Sequence, residues 1–379
     1  MLIVGAGVAG GLMLAALRQR HPSLRVLLVE KAHKFQARHT WCFHDTDIPA
    51  GAMHWLSPFI SKSWSEYEVR FPEFTRRLSS AYHCIRSEDF YRTLEEKFSA
   101  EILKGVDIGP GHPLLDKAQI VIDARGWVTP DPQPYGWQKF VGLDVELEVP
   151  HELEFPILKD VLVPQTDGYR FFYCLPWDKN SLLIEDTYYS NTPDIDIDRV
   201  TKEIQNFAVQ KGWKIKSVRR KEFGSLPLAL YRESRPPLVH ENAIPLGARS
   251  GLVNPVTGYT LPMTLAAIEE FSRHKNINQK DLLSFFADFE SQYQSQFRYL
   301  RFLNRMMFLA ASPPLRYLVL QRFYRLSASL IHRFYSARLN CWHKLRLLMG
   351  KPPVPVLKAL SCLRDRFNSA QESSRVKIG

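Results

Sequence analysis

Apolar and polar positions follow two rhythms along this chain. A short apolar run at residues 2–4 meets a glycine-rich turn at 5–10, apolar residues recur at helical spacing from 8 to 20, and a second apolar run covers 25–30. Strand, turn, helix and strand in that order predict a βαβ unit with a parallel sheet. A short apolar strand at 120–124 and another at 243–247 fit the same sheet. Residues 140–148, 169–175 and 181–188 read as strands of an antiparallel sheet. Helical periodicity marks 195–211 and 261–273. After residue 282 the pattern is helical to about 349, where the Pro-rich stretch at 351–355 ends it. Residues 36–119 are mixed, and the polar residues 368–379 predict a disordered tail.

The first turn carries chemistry. Gly5, Ala6, Gly7, Val8, Ala9 and Gly10 fit GxGxxG between a strand and a helix, the context a dinucleotide site requires. The first glycine permits the tight turn, the second admits a pyrophosphate close to the backbone, and the third lets the helix pack on the sheet. The helix N-terminus offers N–H groups and partial positive charge to phosphates. Glu30, twenty residues after Gly10, ends the second strand. Its carboxylate suits ribose hydroxyls and repels a 2′-phosphate. The turn alone does not separate NAD from FAD. A second loop from Gly247 through Gly251, Pro255, Gly258 and Tyr259 lies between a strand and a helix, where two-dinucleotide-fold flavoproteins bring backbone N–H groups to the flavin. Flavin hydroxylases carry Gly-Asp here; this chain has Gly247-Ala248-Arg249, so a carboxylate contact to the ribityl chain is not expected.

Charge changes the picture further. Between residues 291 and 364 there is no Asp or Glu, while thirteen Lys or Arg fall there, more than the whole chain's net +11. Basicity is therefore regional and points to an anionic partner. Arginines interleave with apolar residues in Leu300-Arg301-Phe302-Leu303-Asn304-Arg305-Met306-Met307-Phe308-Leu309, which predicts a helix lying in a membrane interface. No nucleic-acid motif is present, so nucleic acid is not an expected partner. No apolar window of about 18 residues predicts a spanning helix, and the glycine-broken start is not a signal peptide. The five cysteines (Cys42, Cys84, Cys174, Cys341, Cys362) are widely spaced with no CxxC pair, so neither a metal site nor a disulfide framework is expected.

The chain resembles the bacterial lycopene beta-cyclases over residues 2–357. The resemblance rests on the N-terminal LIVGAGVAGGL; on Arg38-His39-Thr40-Trp41-Cys42-Phe43-His44; on Asp123-Ala124-Arg125-Gly126; and on Gly136-Trp137-Gln138-Lys139-Phe140-Val141-Gly142. It continues in Leu183-Ile184-Glu185-Asp186-Thr187, in Pro255-Val256-Thr257-Gly258-Tyr259-Thr260-Leu261-Pro262, and in the tail segments Gln321–Leu326 and Gly350–Pro355. It implies a non-redox cyclisation of the ψ ends of lycopene to β-ionone rings, through γ-carotene to β-carotene. It also implies reduced FAD as cofactor, NAD(P)H as reductant, and Glu185-Asp186 as the acidic motif whose Glu is essential. The alternatives are an FAD-dependent monooxygenase or isoprenoid reductase on an apolar substrate, and a non-catalytic carotenoid-binding membrane protein.

Proton-initiated cyclisation needs a strong acid, a shelter for a carbocation and a base. A carboxyl in an apolar tunnel stays protonated because burial disfavours its charge. On a strand Glu185 and Asp186 point to opposite faces, so Glu185 is assigned to the substrate and Asp186 to structure. The immediate donor, Glu185 or reduced flavin, stays open. Trp41, Phe43, Phe172, Tyr173, Tyr188 and Tyr259 are candidates to face the cation, and His39 and His44 to relay protons. Asp123 and Gly126 complete the expected cofactor set. The expected architecture is α/β: a Rossmann-like FAD-binding domain (1–35, 80–145, 240–280), an inserted antiparallel substrate layer (36–79, 146–239) and a basic helical membrane-associated region (281–367). Expected partners are lycopene and γ-carotene, an anionic membrane and other carotenoid-pathway enzymes. The expected location is peripheral, on the cytoplasmic side of the inner membrane.

Overall fold

The structure is a computed structural model that describes residues 1–126, 133–234, 237–274, 277–350 and 355–363. Its first layer is a five-stranded parallel sheet in the order Ile244–Pro245, Val121–Asp123, Leu2–Val4, Leu27–Glu30, Ile102–Lys104. Three residues suffice for the first strand because it is paired on both sides, Leu2 facing Leu27 and Val121. Side chains alternate across it. Ile3 enters the main core beneath the helix Val8–Arg20, while Leu2 and Val4 join a second cluster with Ile108 and Leu115. That helix is buried continuously from Ala9 to Leu17, where it lies between the sheet and the helix Leu261–Ser272. The edge strand Ile102–Lys104 falls in the stretch read as mixed, since three residues with two exposed give no periodic signal.

The second layer is a seven-stranded sheet in the order Ile215–Ala229, Tyr135–Leu147, Ser181–Ser190, Tyr169–Asp178, Ile157–Asp160, Tyr67–Phe71, Phe74–Leu78. All pairs are antiparallel except Ile157–Asp160 with Tyr67–Phe71. One face packs Val141, Val145, Phe172 and Ile184 beneath the helix Ile197–Gln210, through Val200, Ile204 and Phe207. The other face turns Leu158, Phe171, Leu183 and Tyr189 toward the main core. The fifteen-residue strand Ile215–Ala229 has no counterpart in the sequence expectation. It is an edge strand rich in Lys and Arg, largely exposed over residues 217–221, so its pattern reads as polar. Residues 135–145, which the expected domain bounds put in the nucleotide-binding part, pair in this antiparallel sheet, where the strand read from residue 140 onward already places most of them. Thr40–His44, Tyr82–Arg86 and Lys62–Trp64 form a third, three-stranded sheet, which joins residues expected in two separate domains.

The C-terminal region is helical, with Gln279–Arg305 continuing into a π-helical turn at Met306–Ala310, then Tyr317–Phe323, Ala328–Tyr335, Cys341–Leu348 and Val356–Ser361. The stretch from Leu300 to Leu309 does not lie along an interface: Leu300, Arg301, Asn304, Arg305, Met307 and Phe308 are buried, and Leu309 is its one exposed residue. Arg305 donates to the carbonyls of Cys362 and Leu230, and Arg316 to those of Met307, Tyr189 and Phe308. These cations serve irregular backbone inside the protein, where carbonyls without helix or sheet partners need donors. The other exposed large apolar residues of the region lie farther along, at Leu315, Trp342, Leu345, Leu348, Met349, Leu357, Leu360 and Leu363. No helix among the described residues is long and apolar enough to cross a membrane. The tail 368–379 and residues 351–354 lie outside the described residues.

Candidate active site

The glycine turn is built by close approach. Gly5 holds φ +102°, and a Cβ on Gly10 would sit 2.0 Å from the Gly5 carbonyl oxygen, so neither accepts a side chain. Nothing lies within 4 Å of a Cβ position on Gly7, the residue that must leave room for a phosphate. Glu30 braces the turn from the end of the second strand, its Oε2 accepting from the Ala6 N–H and its Oε1 from the Ala32 N–H, both at 3.0 Å. The second loop docks on the first: Gly247, at φ +63°, would place a Cβ 2.6 Å from that of Ala9. Gly251 and Gly258 also hold positive φ, and Pro255 lies between them with its carbonyl accepting from Asn304. Asp123 is fully buried. Its oxygens accept from Arg125 at 2.9 and 2.8 Å and from the Val239 N–H, with Arg249 at 3.5 Å. Arg249 thus turns inward to a carboxylate on the neighbouring strand. Gly126 follows, its N–H bonded to the Ala124 carbonyl.

A cleft of about 430 Å³ opens between the antiparallel sheet, the three-stranded sheet and the loop leading into the helix Leu261–Ser272. The antiparallel sheet contributes Lys159, Phe171, Tyr173, Glu185, Tyr189 and Glu222. The small sheet and its approach contribute His39, Trp41, Cys42, His44 and Tyr82. The loop contributes Ala248, Val253, Gly258 and Tyr259. Of the residues singled out in the sequence, Glu185, His39, Trp41, His44, Tyr173 and Tyr259 therefore meet. Ala248 links the cleft to the second glycine loop, and through Gly247 to the first turn.

The aromatic candidates divide by strand face. Phe172 stacks on Phe207 at 3.8 Å between ring centroids, on the opposite face of the sheet. Tyr188 lies on that face too, donating to Asp186 at 2.7 Å, and Phe43 packs against the His83 ring away from the cleft. These three are core residues, contrary to the expectation that they face a cation. Asp186 is buried with Arg170, which donates to it at 3.0 and 2.7 Å.

Burial sets the electrostatics. Burial, with a further push from Glu222, raises the Glu185 carboxyl to about 8, against the Thr187 hydroxyl at 2.5 Å and Lys159. Burial lowers Lys159 to about 7, and its Nζ lies 3.5 Å from the Phe171 ring centroid. Glu222 is pushed up to about 7 by burial, against Arg220 and Thr40. His44 is enclosed by the rings of Tyr67, Tyr82, His332 and Tyr335, and burial drives it down to about 3, so it is a neutral imidazole. Asp47, which accepts from the His44 N–H at 2.9 Å, is raised by burial to about 7. His39 is lowered by burial and then by Arg220 and Arg38. Tyr82 and Tyr173 share a hydrogen bond at 3.0 Å, and the Tyr259 hydroxyl donates to the Cys42 carbonyl at 2.5 Å.

The sequence reading missed Glu222, Lys159, Tyr82 and Tyr189. Glu222 stands in Arg219-Arg220-Lys221-Glu222, where a carboxylate among cations reads as a solvated pair. Among the described residues no group of three or more His, Cys, Asp or Glu is placed to hold a metal ion. The arrangement is a half-enclosed aromatic chamber with two carboxyl groups that retain protons near neutrality. It suits proton transfer to and from an apolar substrate.

Comparison with known proteins is consistent across the chain. The family model for lycopene cyclase protein matches residues 1–107 and 111–361. A lycopene beta-cyclase of Pantoea ananas is 36% identical over 371 residues, covering 96% of this chain and 97% of that protein. One from Paracoccus sp. (strain N81106 / MBIC 01143) is 37% identical over 381 residues, 97% of each. Among solved structures, a geranylgeranyl bacteriochlorophyll reductase-like protein of Thermoplasma acidophilum aligns with TM-score 0.57 at 12% identity, over 96% of this chain and 98% of that one. A flavin-dependent brominase aligns with TM-score 0.56 at 13% identity, over 91% and 96%. At such identity the shared property is the mixed α/β fold.

Proposed function

From the premise that this chain belongs to the lycopene cyclase protein family, we propose that it is a lycopene beta-cyclase that turns the ψ ends of lycopene into β-ionone rings, by way of γ-carotene, with FAD as cofactor and NAD(P)H as the source of its electrons. The observation that carries this reading is Glu185: a half-buried carboxyl in an aromatic chamber, kept protonated near neutral pH by burial.

The residues present fit FAD. The cradle at Gly5, Gly7 and Gly10 admits a pyrophosphate and no side chain, and Glu30 stands beside the turn for the ribose. Gly247, Ala248, Gly251, Pro255, Gly258 and Tyr259 frame the route from that cradle to the chamber, with Asp123 and Gly126 supporting its wall. Reduced flavin, when bound, supplies negative charge beside a developing cation. The chain does the rest. Glu185 delivers its proton to the end-group alkene, and Trp41, Tyr173, Tyr189 and Tyr259 present π faces that favour a nearby cation. The aromatic and aliphatic lining of the chamber limits capture of the cation by water. Asp186 acts from the opposite face of the strand, locking it through Arg170. Neutral His44 and the depressed His39 do not compete as cations with the substrate.

The substrate resides in lipid, so the enzyme works at a membrane surface, on the cytoplasmic side in this reading. The helix Cys341–Leu348, none of whose residues is buried, supports this with Trp342, Leu345 and Leu348 beside Lys344 and Arg346. Other carotenoid-pathway enzymes would be its neighbours there.

The test is pigment analysis in a lycopene-accumulating bacterial host. Expression is expected to yield cyclic product of unchanged mass, and Glu185→Gln to yield none while the purified variant keeps its flavin. Product heavier by oxygen or by hydrogen would overturn the cyclase reading, and cyclisation by Glu185→Gln would remove the acid assignment.

A further inference from the structure

Glu222 forms a unit with Glu185 that neither makes alone. In the seven-stranded sheet Gly142 is the register partner of Glu185 on one side and of Glu222 on the other. Residues directly opposite across strands project to the same face, so both carboxyls stand on the chamber face. Two strand spacings separate their backbones by about 9.5 Å, a gap two glutamate side chains can close if nothing stands between them. The intervening residue, being glycine, puts no side chain of its own there. A Cβ on Gly142 would lie 3.0 Å from Glu222 Cγ, 3.3 Å from Glu222 Oε1 and 3.2 Å from Leu183 Cδ1, so Leu183 walls the gap on one side. The Glu222 carboxyl is also oriented. Its Oε2 accepts from the Thr40 hydroxyl at 3.1 Å and from Arg220 at 3.0 Å, which leaves Oε1 on the Gly142 side. Both residues line the chamber.

We propose that Glu222 is a second catalytic residue of the cyclisation, the base that removes the ring proton after Glu185 has delivered the first one, with Gly142 as the gap across which the pair shares a single proton. This rests on the cyclase reading above. The Glu185 O–H bond breaks, and its hydrogen forms a C–H bond at the less substituted carbon of the end-group alkene. The electrons of the second alkene then close the six-membered ring and leave the cation on its far carbon. Glu222 takes the proton from the adjacent ring carbon, whose C–H electrons become the ring double bond. The pair begins and ends with one proton, which returns from Glu222 to Glu185 across Gly142. No electrons are gained or lost. Burial holds both carboxyls above their ordinary range, Glu222 pushes Glu185 further up, and Asp144 and Glu88 do the same to Glu222, as a one-proton pair requires.

The charged and titratable groups facing Glu222 are Arg220 on its own strand, Asp144 on the central strand, Glu88 on the helix Ser87–Phe98, Cys84 on the small sheet, and Glu185. Lys159 faces Glu185 from the other side. Arg220, Asp144 and Glu88 form an ion cluster that serves Glu222 as a fixed anchor.

The experiment uses purified, FAD-reconstituted and reduced full-length enzyme with lycopene in vesicles. Parent enzyme is expected to give a bell-shaped pH–kcat profile, because the pair must hold one proton. Glu222→Gln keeps the Thr40 acceptor, and is expected to lose at least about 100-fold in kcat together with the acidic limb of the bell, its flavin content unchanged. Gly142→Ala, which places a methyl in the gap, is expected to lose activity in the same way. Near-parental kcat and an unchanged profile in Glu222→Gln would overturn the inference. So would a loss of activity with the acidic limb intact, which marks Glu222 as a structural partner of Arg220. If parent enzyme forms no ring, the cyclase reading fails first and is recognised as such.

Discussion

Glu185 and Asp186 are neighbours in sequence with opposite surroundings. Asp186 carries the Arg170 guanidinium in a buried, two-pronged pair, and removing one partner of such a pair costs about 3–5 kcal/mol. Asp186→Ala is therefore expected to lower the melting temperature and soluble yield, whereas Glu185→Gln lowers neither and loses turnover; thermal melts beside activity assays separate the two. The raised Glu185 carboxyl has a further consequence. Below its ordinary range the group is protonated folded or unfolded and contributes nothing. As pH rises from about 4.5 toward about 8, the unfolded chain gives up the proton while the folded one keeps it, so folding stability falls through that window. Glu185→Gln removes this loss. Its melting temperature is expected to exceed the parent's by about 2–4 °C at pH 9 and to match it at pH 4. A parent that melts higher than the variant at pH 9 would contradict the burial of the carboxyl.

At the scale of elements, the turns are legible and the edges are not. The strand–turn–helix at the N-terminus is contiguous, and each glycine has a local reason. Gly10→Val would drive a side chain into the Gly5 carbonyl, so flavin absorbance per protein after reconstitution with FAD is expected to fall to background. The strands at 135–147, 169–178 and 181–190 follow from short runs rich in apolar and aromatic residues, although their ends extend past the predicted limits. The edge strand Ile215–Ala229 escaped because its solvent face carries Lys and Arg, and the base candidate Glu222 escaped with it. The stretch from Leu300 to Phe308 was misread for a related reason. Arginine beside leucine looks interfacial, but Arg305 and the more distant Arg316 spend their donors on buried carbonyls. Periodicity counts polar residues and does not know whether an unpaired carbonyl is waiting for one.

At the scale of the molecule, charge and grease are arranged together near the C-terminus. Trp342, Leu345, Leu348 and Met349 stand exposed, as do Leu357, Leu360 and Leu363 farther along the chain. Each cation near an anionic surface contributes about 1 kcal/mol, screened by salt. Flotation with anionic vesicles is expected to carry the protein upward at low salt. Trp342→Ser with Leu345→Ser is expected to weaken that recovery several-fold without loss of flavin; equal recovery with neutral and anionic vesicles would contradict the electrostatic part.

The sequence by itself determined the parallel sheet with its glycine turn, the three central antiparallel strands and the family, and it singled out Glu185 as the candidate acid, because each is written in residues adjacent or at short fixed spacing. Only the tertiary structure decided that Thr40, Gly142, Glu185 and Glu222 meet, and that Phe43, Phe172 and Tyr188 do not belong to the chamber. Cross-strand register and the packing of one sheet on another join distant positions, Thr40 and Glu222 across 182 residues, and which face of a strand looks into a cavity depends on what packs against the other. Neither quantity has a local signature, so both wait for the folded chain.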